Sequence, residues 1–421
     1  MPPSDRPLPF PFSRSILDQS PPPRMTRPLQ PAVLGPVASA ALLGTRTSDE
    51  TPDVWVYRYV HPDTGWRLSI ATCAAPGSGR LSLGGFRIAT PERTDTAGFD
   101  SDREATALAV GMEEKVAWSR RLGIAGPLVA RDISSIAGGK CVLHPTADAR
   151  VGQVHDRALL DFGIECLHDA ESRGGFRITT GQDLGHGVLS DGVTTSLDYL
   201  HARFAGCVVS DTSQPTGQGN YHVLAAMLRG VDVDVARATI GLIGCGNVGT
   251  RVLSRLLQRG TSIRALDASE SRRGEIAAMG IPVYAPGEKA DLLRSELDAV
   301  VVNAAGGSLD MHSLAMIGVN DRLRVICGSE NLAMPDERAG AELLRQTRKA
   351  YAPTELGGMM GYLTAAEEYL ARVEGVPFDI ATLIAAASQL EAPVVAAMRL
   401  LRDHDFTTSF EHSLKAVCQS T

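Results

Sequence analysis

The alternation of apolar and polar positions along the chain predicts strands and helices that follow one another closely. Two β-rich stretches between residues 54 and 73 (VWVYRY and RLSIATC) are separated by the turn sequence HPDTG at 61–65, which indicates a hairpin. Apolar residues at helical spacing predict a helix over 103–120. A further helix is predicted over 156–169 and a short strand over 176–180. Strand and helix signals that interchange in this way are typical of an α/β fold.

The alternation is sharper after residue 238, where short strands separate the helices. These strands are almost wholly apolar, which suits a parallel sheet buried on both faces. After residue 360 the pattern is helical, with Ala- and Leu-rich stretches over 378–402 and 406–418. The remaining predicted strands are 238–244, 262–267, 298–304, 323–328 and 350–353. The remaining predicted helices are one that follows the first of these strands and ends at 258, one over 270–279 and one over 336–349.

Composition adds an unusual N-terminal segment to this picture. Residues 1–36 hold 11 of the 24 prolines and few bulky apolar side chains. Such a segment cannot bury enough surface to offset its ordering entropy, so we predict disorder there. The 421 residues suggest two or three folded units, since a domain has roughly 150 residues.

Charge and cysteine usage exclude several classes of protein. The balance of 41 basic and 48 acidic side chains gives a net charge of −7, which argues against a general nucleic-acid binder. Neither a long apolar run nor a signal peptide is evident, so we expect no membrane partner. The seven cysteines form no C-x-x-C pair and the histidines no H-E-x-x-H motif, so neither disulfides nor a metal site are expected. The prediction is a cytoplasmic protein.

The strongest motif is the glycine-rich sequence Gly244-Cys-Gly-Asn-Val-Gly249, which matches G-x-G-x-x-G. It follows an apolar strand and opens a helix, the context that a dinucleotide-binding turn requires. Gly244 and Gly246 would allow the tight turn and the close approach of a pyrophosphate, and Gly249 would let the helix pack on the strand. The first helical residues, Asn247 and Val248, would present backbone N–H groups to the phosphates.

Asp267 ends the next predicted strand, 18 positions after Gly249. Its carboxylate would accept hydrogen bonds from the adenosine ribose hydroxyls and repel a 2′-phosphate, which favours NAD over NADP. Arg272 and Arg273 lie nearby and keep NADP open as an alternative. A glycine turn with a purely structural role is the other alternative.

Four upstream motifs carry candidate chemistry. A lysine, whose ordinary pKa is about 10.4, acts as a base near neutral pH only where burial or a neighbouring cation lowers that pKa. Lys140 fits this requirement because the glycines beside it allow close approach to backbone and cofactor. Spacing alone does not separate these lysines from solvated surface charges. The motifs are Gly84-Gly-Phe-Arg87, Gly111-Met-Glu-Glu-Lys115, Ala137-Gly-Gly-Lys140 and Thr180-Gly-Gln-Asp183.

Taken in order, these motifs resemble the glutamate/leucine/phenylalanine/valine dehydrogenase family, and most of all its leucine and phenylalanine dehydrogenases. The similarity extends from about Val54 to the C-terminus. No single block decides the matter, but their occurrence together in the family's order is specific. Besides the hairpin, the four motifs and the nucleotide turn, the blocks include 298–307, 325–331 and 351–353.

The resemblance implies NAD-dependent, reversible oxidative deamination of an L-amino acid to its 2-oxo acid and ammonia. Lys140 would activate water, and Asp183 would hold the amino group and transfer its protons. Lys115 would bind the substrate carboxylate. Its implied helpers are Asn331 and the backbone near Gly84 and Gly85; residues implied at the nicotinamide are Thr216, Ala304, Ala305 and Asn331.

The implied side-chain pocket contains no evident cation, which favours a bulky apolar or aromatic amino acid. Gly181 would leave room for such a group, although it could also be a simple turn before Asp183. The lining residues implied by the resemblance are Leu83, Gly181, Tyr362 and Ala365.

Two departures from the family pattern are visible. Lys115 and Lys140 are 25 positions apart, wider than is usual. Either an insertion lies between them, or Lys115 is not the carboxylate-binding lysine and Arg121 or Arg131 replaces it. The asparagine-alanine-glycine-glycine stretch of the family is here Gly358-Met-Met-Gly361. Two alternatives therefore stay open: an unusual amino acid as substrate in a specialised biosynthetic pathway, and a non-catalytic NAD-binding protein.

The predicted organisation is a two-domain α/β dehydrogenase, with a substrate cleft between the domains and a homodimer or higher homo-oligomer as its assembly. Its predicted parts are a disordered Pro-rich tail over 1–49, a substrate, catalytic and dimerisation domain over 50–212, a Rossmann NAD-binding domain over 213–370, and C-terminal helices over 371–421 that return to the substrate domain.

Overall fold

The computed structural model describes residues 29–44 and 51–419 and contains a mixed sheet followed by a parallel one. The mixed sheet has the strand order β1-β2-β3-β6-β4-β7, and β5 also pairs with β6. Its strands are β1 (Ala32–Leu34), β2 (Trp55–Val60), β3 (Arg67–Thr72), β4 (Leu81–Leu83), β5 (Phe86–Ile88), β6 (Ile136–His144) and β7 (Arg177–Thr179), and the helices here are α1 (Pro36–Leu43), α2 (Pro91–Thr94), α3 (Ser101–Leu122), α4 (Asp156–Gly174) and α5 (Ser196–His201).

The second sheet is parallel throughout, with the order β10-β9-β8-β11-β12-β13. This is the doubly wound order of dinucleotide-binding folds, whose ligand site lies at the carboxyl ends of the strands. In chain order the elements are α6 (Ser213–Gly230), β8 (Thr239–Ile243), α7 (Asn247–Gln258), β9 (Ser262–Leu266), α8 (Glu270–Ala278), β10 (Val283–Tyr284), α9 (Lys289–Arg294), β11 (Ala299–Val302), α10 (Met311–Val319), β12 (Val325–Gly328), α11 (Glu337–Gln346) and β13 (Ala350–Tyr351).

Four helices complete the chain: α12 (Thr354–Glu374), α13 (Ile380–Ala386), α14 (Glu391–Asp403) and α15 (Phe410–Gln419). Of the helices after residue 371, which are predicted to return to the first unit, α15 packs on α3, as does α12 before them. In contrast, α13 and α14 lie against α6. The α/β fold class is confirmed, while the exact domain boundaries stay a prediction.

The predicted hairpin is present as the antiparallel pair of β2 and β3. The turn between them is closed by the backbone N–H of His61, which donates to the carbonyl of Trp66 at 2.8 Å. Gly65 in this turn has a φ of +75°, a conformation that favours glycine.

The prediction of a disordered tail is wrong over residues 32–43. β1 extends the mixed sheet by pairing antiparallel with β2, and α1 packs on α3. Pro36 begins α1, where its missing N–H leaves no helical hydrogen bond unmade. The Ser39 hydroxyl ties the helix to the sheet by donating to the carbonyl of Val54 at 2.7 Å. Residues 1–28 and 45–49 of the predicted tail lie outside the described residues.

One described stretch, Ile380–Asp403, is long and apolar enough to span a membrane by length and composition. The helical stretch predicted over 378–402 consists of two helices, since a 3₁₀ turn at 387–390 separates α13 from α14. Glu391 at the start of α14 is bound by α6, because its carboxylate lies 2.7 Å from His222 Nδ1 and 3.1 Å from Arg229 Nη1. In the structure this stretch therefore forms two helices that pack against α6.

Candidate functional site

The buried pair of Lys140 and Asp183 lies at the mixed sheet of the first unit. Lys140 is on the central strand β6, and its ammonium group donates to Asp183 Oδ2. The other carboxylate oxygen, Oδ1, accepts from Arg87 Nε at 3.2 Å, from Arg87 Nη2 at 3.1 Å and from the backbone N–H of Leu184 at 2.6 Å. Asp183 is thus held by two cations and one backbone donor.

Burial and neighbouring charges shift the pKa of both side chains. Burial alone would raise the pKa of Asp183, but the charges of Arg87 and Lys140 outweigh burial and hold that pKa well below its ordinary value. Burial lowers the pKa of Lys140, Asp183 opposes the shift and Arg87 adds to it, with a net lowering. A stably ionised carboxylate beside a lysine of lowered pKa is suited to proton transfer near neutral pH.

Glycines allow the backbone to approach this pair. A Cβ on Gly85 would lie 2.8 Å from Asp183 Oδ2 and 3.1 Å from Lys140 Nζ, and a Cβ on Gly84 would lie 1.7 Å from the carbonyl oxygen of Gly139. On the other side, a Cβ on Gly138 would lie 2.2 Å from the backbone nitrogen of Glu113. The glycines therefore let the turn before β5 and the helix α3 pack directly on β6.

Lys115 reaches the same region from α3, although 25 residues separate it from Lys140. Its Nζ donates to Asn331 Oδ1 at 2.9 Å, and Asn331 follows the carboxyl end of β12. Burial lowers the pKa of Lys115 to about 8, with Glu355 opposing that shift and Lys140 adding to it. The contact joins α3 of the first unit to the end of β12 in the second unit.

The two arginines proposed as replacements for Lys115 lie elsewhere. The Arg121 guanidinium stacks 5.4 Å from the centre of the Trp118 ring, and Arg131 Nη1 pairs with Glu374 at 2.7 Å. Arg131 is 61% exposed in its side chain. The extra residues between α3 and β6 form a loop with two 3₁₀ turns at 129–131 and 133–135.

The glycine turn of the second unit has the shape that a pyrophosphate requires. Gly244 has a φ of +84°, and a Cβ on it would lie 2.6 Å from the backbone nitrogen of Ala304. A Cβ on Gly249 would lie 2.0 Å from the carbonyl oxygen of Gly244, so this glycine lets α7 pack on β8. Gly246 is the N-cap of α7 and faces open space. Asn247 and Val248 then begin the helix, and their N–H groups point toward that space.

Asp267 lies beside this turn. Its Oδ2 accepts from the backbone N–H of Cys245 at 2.7 Å and its Oδ1 from that of Ser269 at 2.8 Å. Each carboxylate oxygen has a second acceptor site, so the group can still receive ribose hydroxyls. Arg272 pairs with Glu275 at 2.6 Å, and Arg273 donates to the carbonyls of residues 267 and 268. The residues present fit a dinucleotide.

A loop at the carboxyl end of β11 carries Ala304 and Ala305, both exposed to solvent. The buried carboxylate of Glu330 holds this loop, since it accepts from the N–H of Ala304 at 3.0 Å and of Ser308 at 2.8 Å. Burial raises the pKa of Glu330, and these donors oppose the shift. Because Asn331 is the next residue, the loop and the Lys115 contact are fixed together.

Comparisons with known proteins point to one group of enzymes. The chain is 27% identical over 329 residues to phenylalanine dehydrogenase from Bacillus thermotolerans, which covers 73% of this chain and 74% of that protein. The chain is thus similar in sequence to an amino acid dehydrogenase. Its predicted class, a dehydrogenase-type oxidoreductase, is confirmed with that relationship.

Solved structures agree on the fold of the dehydrogenase. It matches L-tryptophan dehydrogenase from Nostoc punctiforme with a TM-score of 0.56 and 16% identity, over 84% of this chain and 91% of that one. It matches a hetero-hexameric glutamate dehydrogenase from Thermus thermophilus with a TM-score of 0.53 and 16% identity, over 94% of this chain and 88% of that one. No protein-family model matches the chain.

In the side-chain pocket implied by the resemblance, the prediction for Gly181 is wrong. Gly181 does not open space for a substrate, because a Cβ there would lie 2.9 Å from Val208 Cγ2. Leu83 and Tyr362 are buried in one apolar cluster together with Met112 of α3. Ala365 is partly buried and packs against the same cluster. The Tyr362 hydroxyl is buried with no hydrogen-bond partner among the described residues.

The structure gives a physical reason for the glycine that replaces the family's asparagine. A Cβ on Gly358 would lie 3.2 Å from Lys115 Nζ and 3.1 Å from Lys115 Cε. A larger residue would press on the lysine. One turn later, Gly361 leaves room for Thr216, whose hydroxyl donates to the carbonyl of Thr212 at 2.7 Å. The Thr216 hydroxyl is thus engaged within its own helix, α6.

Several residues of the site were not predicted from the sequence. Arg87 belongs to the motif Gly84-Gly-Phe-Arg87, but the sequence assigned no role to it. In the structure it links Asp183 to Glu104, whose carboxylate accepts from Arg87 Nη1 at 2.7 Å. The second oxygen of Glu104 accepts from Arg93 Nη2 at 2.7 Å. His186 lies 2.7 Å from the carbonyl of Phe86 through Nε2 and 2.8 Å from Ser196 through Nδ1. Only the tertiary fold brings these partners together.

Proposed function

We propose that the dehydrogenase catalyses the reversible oxidative deamination of a bulky apolar or aromatic L-amino acid to its 2-oxo acid and ammonia, with NAD as cofactor. The observation that carries the proposal is the buried Lys140–Asp183 pair, which lies close enough to Lys115 for their charges to interact. Lys115 can bind the substrate carboxylate, Asp183 the substrate amino group, and Lys140 the attacking water.

The Lys115 ammonium binds the substrate carboxylate as a point charge, and Asn331 fixes the position of that ammonium. Asp183 accepts a hydrogen bond from the substrate amino group. These two anchors orient the α-carbon toward the exposed loop at Ala304 and Ala305. A nicotinamide held beside this loop would supply the acceptor for the hydride of the α-carbon, and the amino acid would become an imino acid.

Lys140 then acts on the imino carbon through water. Its neutral amine takes a proton from the water as the oxygen attacks, so that the C=N double bond becomes a C–N single bond and a carbinolamine with a new C–O bond forms. Asp183 relays a proton to the nitrogen, and ammonia leaves as the C=O bond forms. The net reaction consumes one amino acid, one NAD⁺ and one water and yields the 2-oxo acid, ammonium, NADH and one proton.

The choice of NAD rests on Asp267, because its carboxylate would repel a 2′-phosphate at the ribose. Both nearby arginines are engaged, Arg272 with Glu275 and Arg273 with backbone carbonyls. The choice of a bulky apolar substrate rests on Leu83 and Tyr362, which share an apolar cluster. The match to L-tryptophan and phenylalanine dehydrogenases supports the same choice.

We also propose a cytoplasmic homo-oligomer. All seven cysteines are free thiols, as expected for a reducing compartment. The short strand β1 forms one edge of the mixed sheet, with Val33 half exposed on it. An exposed sheet edge is a ready site for pairing with a second chain.

The test follows NADH absorbance with purified protein, NAD⁺ and each common L-amino acid at alkaline pH, with NADP⁺ in parallel. We expect activity with aromatic or large aliphatic amino acids, loss of activity in Lys140→Ala, and retention in the control Arg173→Ala, whose guanidinium pairs with Asp169 on α4 outside the site. Activity in Lys140→Ala would overturn the proposed base.

Gly358 favours a second candidate, an uncommon amino acid as substrate, because the family's asparagine is missing beside Lys115. Silence with every common amino acid, with NADH binding retained, would favour this candidate over the first. The non-catalytic alternative predicts that Lys140→Ala leaves the biological role unchanged.

A further inference from the structure

A second cavity lies at the opposite end of the parallel sheet. It has a volume of about 700 Å³ and is formed where β12 and β13 begin, between the ends of α6, α10 and α11 and the helix α14. Asn331 and the nucleotide turn lie at the carboxyl ends of the strands, so the cavity is separate from the proposed catalytic site. A volume of this order suits a small organic ligand, since such sites occupy about 300–1,000 Å³.

The lining is unusually basic for a chain with a net charge of −7. Four cations, Arg324, Arg348, Lys349 and Arg402, face two carboxylates, Asp232 and Asp321. Two of the cations are already paired. Arg402 binds Asp232 at 2.8 Å, and Arg348 binds Asp405.

Arg324 and Lys349 are the cations left for a ligand. The Arg324 side chain makes no hydrogen bond or ion pair with any residue in the described part of the chain, and its guanidinium is exposed to the cavity. Lys349 is 7% exposed, and its Nζ donates at 2.6 Å to the carbonyl of Asn320, which carries no charge. Burial lowers the pKa of Lys349, Asp321 opposes that shift and Arg324 adds to it, so the two cations repel each other.

Beside the cations the cavity has an apolar wall. Leu323 is fully buried below it, and Phe406 lies with its ring centre 5.7 Å from the Arg348 guanidinium carbon. A ligand that places an anionic group at Arg324 and Lys349 could rest its remaining atoms on this wall.

We propose that this cavity binds a small organic phosphate. A phosphate dianion matches two adjacent cations that form no ion pair with a described residue better than a single carboxylate does, and arginine binds phosphate oxygens in pairs. β12 runs directly from Arg324 to the residues that hold the Ala304 loop and Lys115, so a bound anion would act on an element that also shapes the catalytic site.

The test is isothermal titration of the full chain with ribose 5-phosphate, with ribose as the neutral twin, at constant ionic strength. Ribose 5-phosphate should bind and ribose should not. In Arg324→Gln the affinity should fall by about tenfold or more, since one charge-assisted contact is removed. The control Arg173→Gln should keep the wild-type affinity, because Arg173 pairs with Asp169 on α4 of the first unit.

The proposal is overturned if ribose 5-phosphate does not bind, if Arg324→Gln binds it as tightly as wild type, or if ribose binds equally well. A repeat with saturating NADH separates this cavity from the nucleotide turn. Unchanged affinity would support the proposal, and competition by NADH would place the phosphate at Gly246 and overturn it. None of these outcomes depends on whether the chain deaminates amino acids.

Discussion

Lys115 shows how burial sets the pH range of a binding group. Burial lowers its pKa to about 8, so in the free enzyme the ammonium that we propose binds the substrate carboxylate is lost as the pH rises through about 8. We expect kcat/KM for the amino acid to fall above this pH, whereas kcat should fall only at higher pH, because a bound carboxylate stabilises the ammonium. Initial rates from pH 6 to 11 at several substrate concentrations would measure both. A KM that is constant up to pH 10 would contradict the assignment.

Gly358 is the residue where a single methyl group tests the geometry of Lys115. In Gly358→Ala the new Cβ would lie about 3.2 Å from Nζ, so the lysine must shift by a few tenths of an ångström. We expect the KM for the amino acid to rise several-fold while NADH affinity, measured by fluorescence, does not change. Gly287→Ala is the control, since a Cβ there meets no atom within 4 Å. Equal effects in both variants would show that the change acts on overall stability.

The turn between β8 and α7 assigns different tasks to its glycines, and a matched pair of variants separates them. In Gly246→Ala the Cβ enters open space, so we expect an unchanged melting temperature and NADH affinity weakened by at least tenfold, because the methyl group occupies the approach of the pyrophosphate. In Gly249→Ala the Cβ meets the carbonyl oxygen of Gly244 at 2.0 Å, so the melting temperature itself should fall. Calorimetry and NADH titration of both variants would measure this contrast. The reverse pattern would contradict it.

Elements with a clear period were predicted well from the sequence, and those shaped by close packing were not. Five of the six strands of the parallel sheet, all but the two-residue β10, and helix α3 lie within a few residues of their predicted positions, because long apolar runs and helical spacing are local signals. β6 was not predicted as a strand, since its two glycines weaken the local signal and make sense only against α3 and β4. At the site, motifs placed Lys115, Lys140 and Asp183, but the partners Arg87, Glu104 and Glu330 depend on contacts between distant segments.

At the scale of the whole molecule, α12 is the element that joins the two units. It leaves the parallel sheet after β13, places Gly358 beside Lys115, and ends against the loop that follows α3. There the buried carboxylate of Glu367 accepts from the N–H groups of Leu128 at 2.9 Å and Val129 at 2.8 Å. One helix therefore fixes both the position of the candidate carboxylate-binding lysine and the contact between the units.

Removing this carboxylate should weaken the whole assembly. In Glu367→Ala two buried N–H groups lose a charged acceptor, so we expect the free energy of unfolding to fall by about 2–4 kcal/mol. Glu374→Ala on the same helix removes only the exposed pair with Arg131 and should cost less than about 1 kcal/mol. Urea unfolding of both variants would measure the difference. If Glu367→Ala is no less stable than Glu374→Ala, the contact at Leu128 and Val129 does not hold the units together, and the position of Lys115 must be fixed by the packing of α12 on α3 alone.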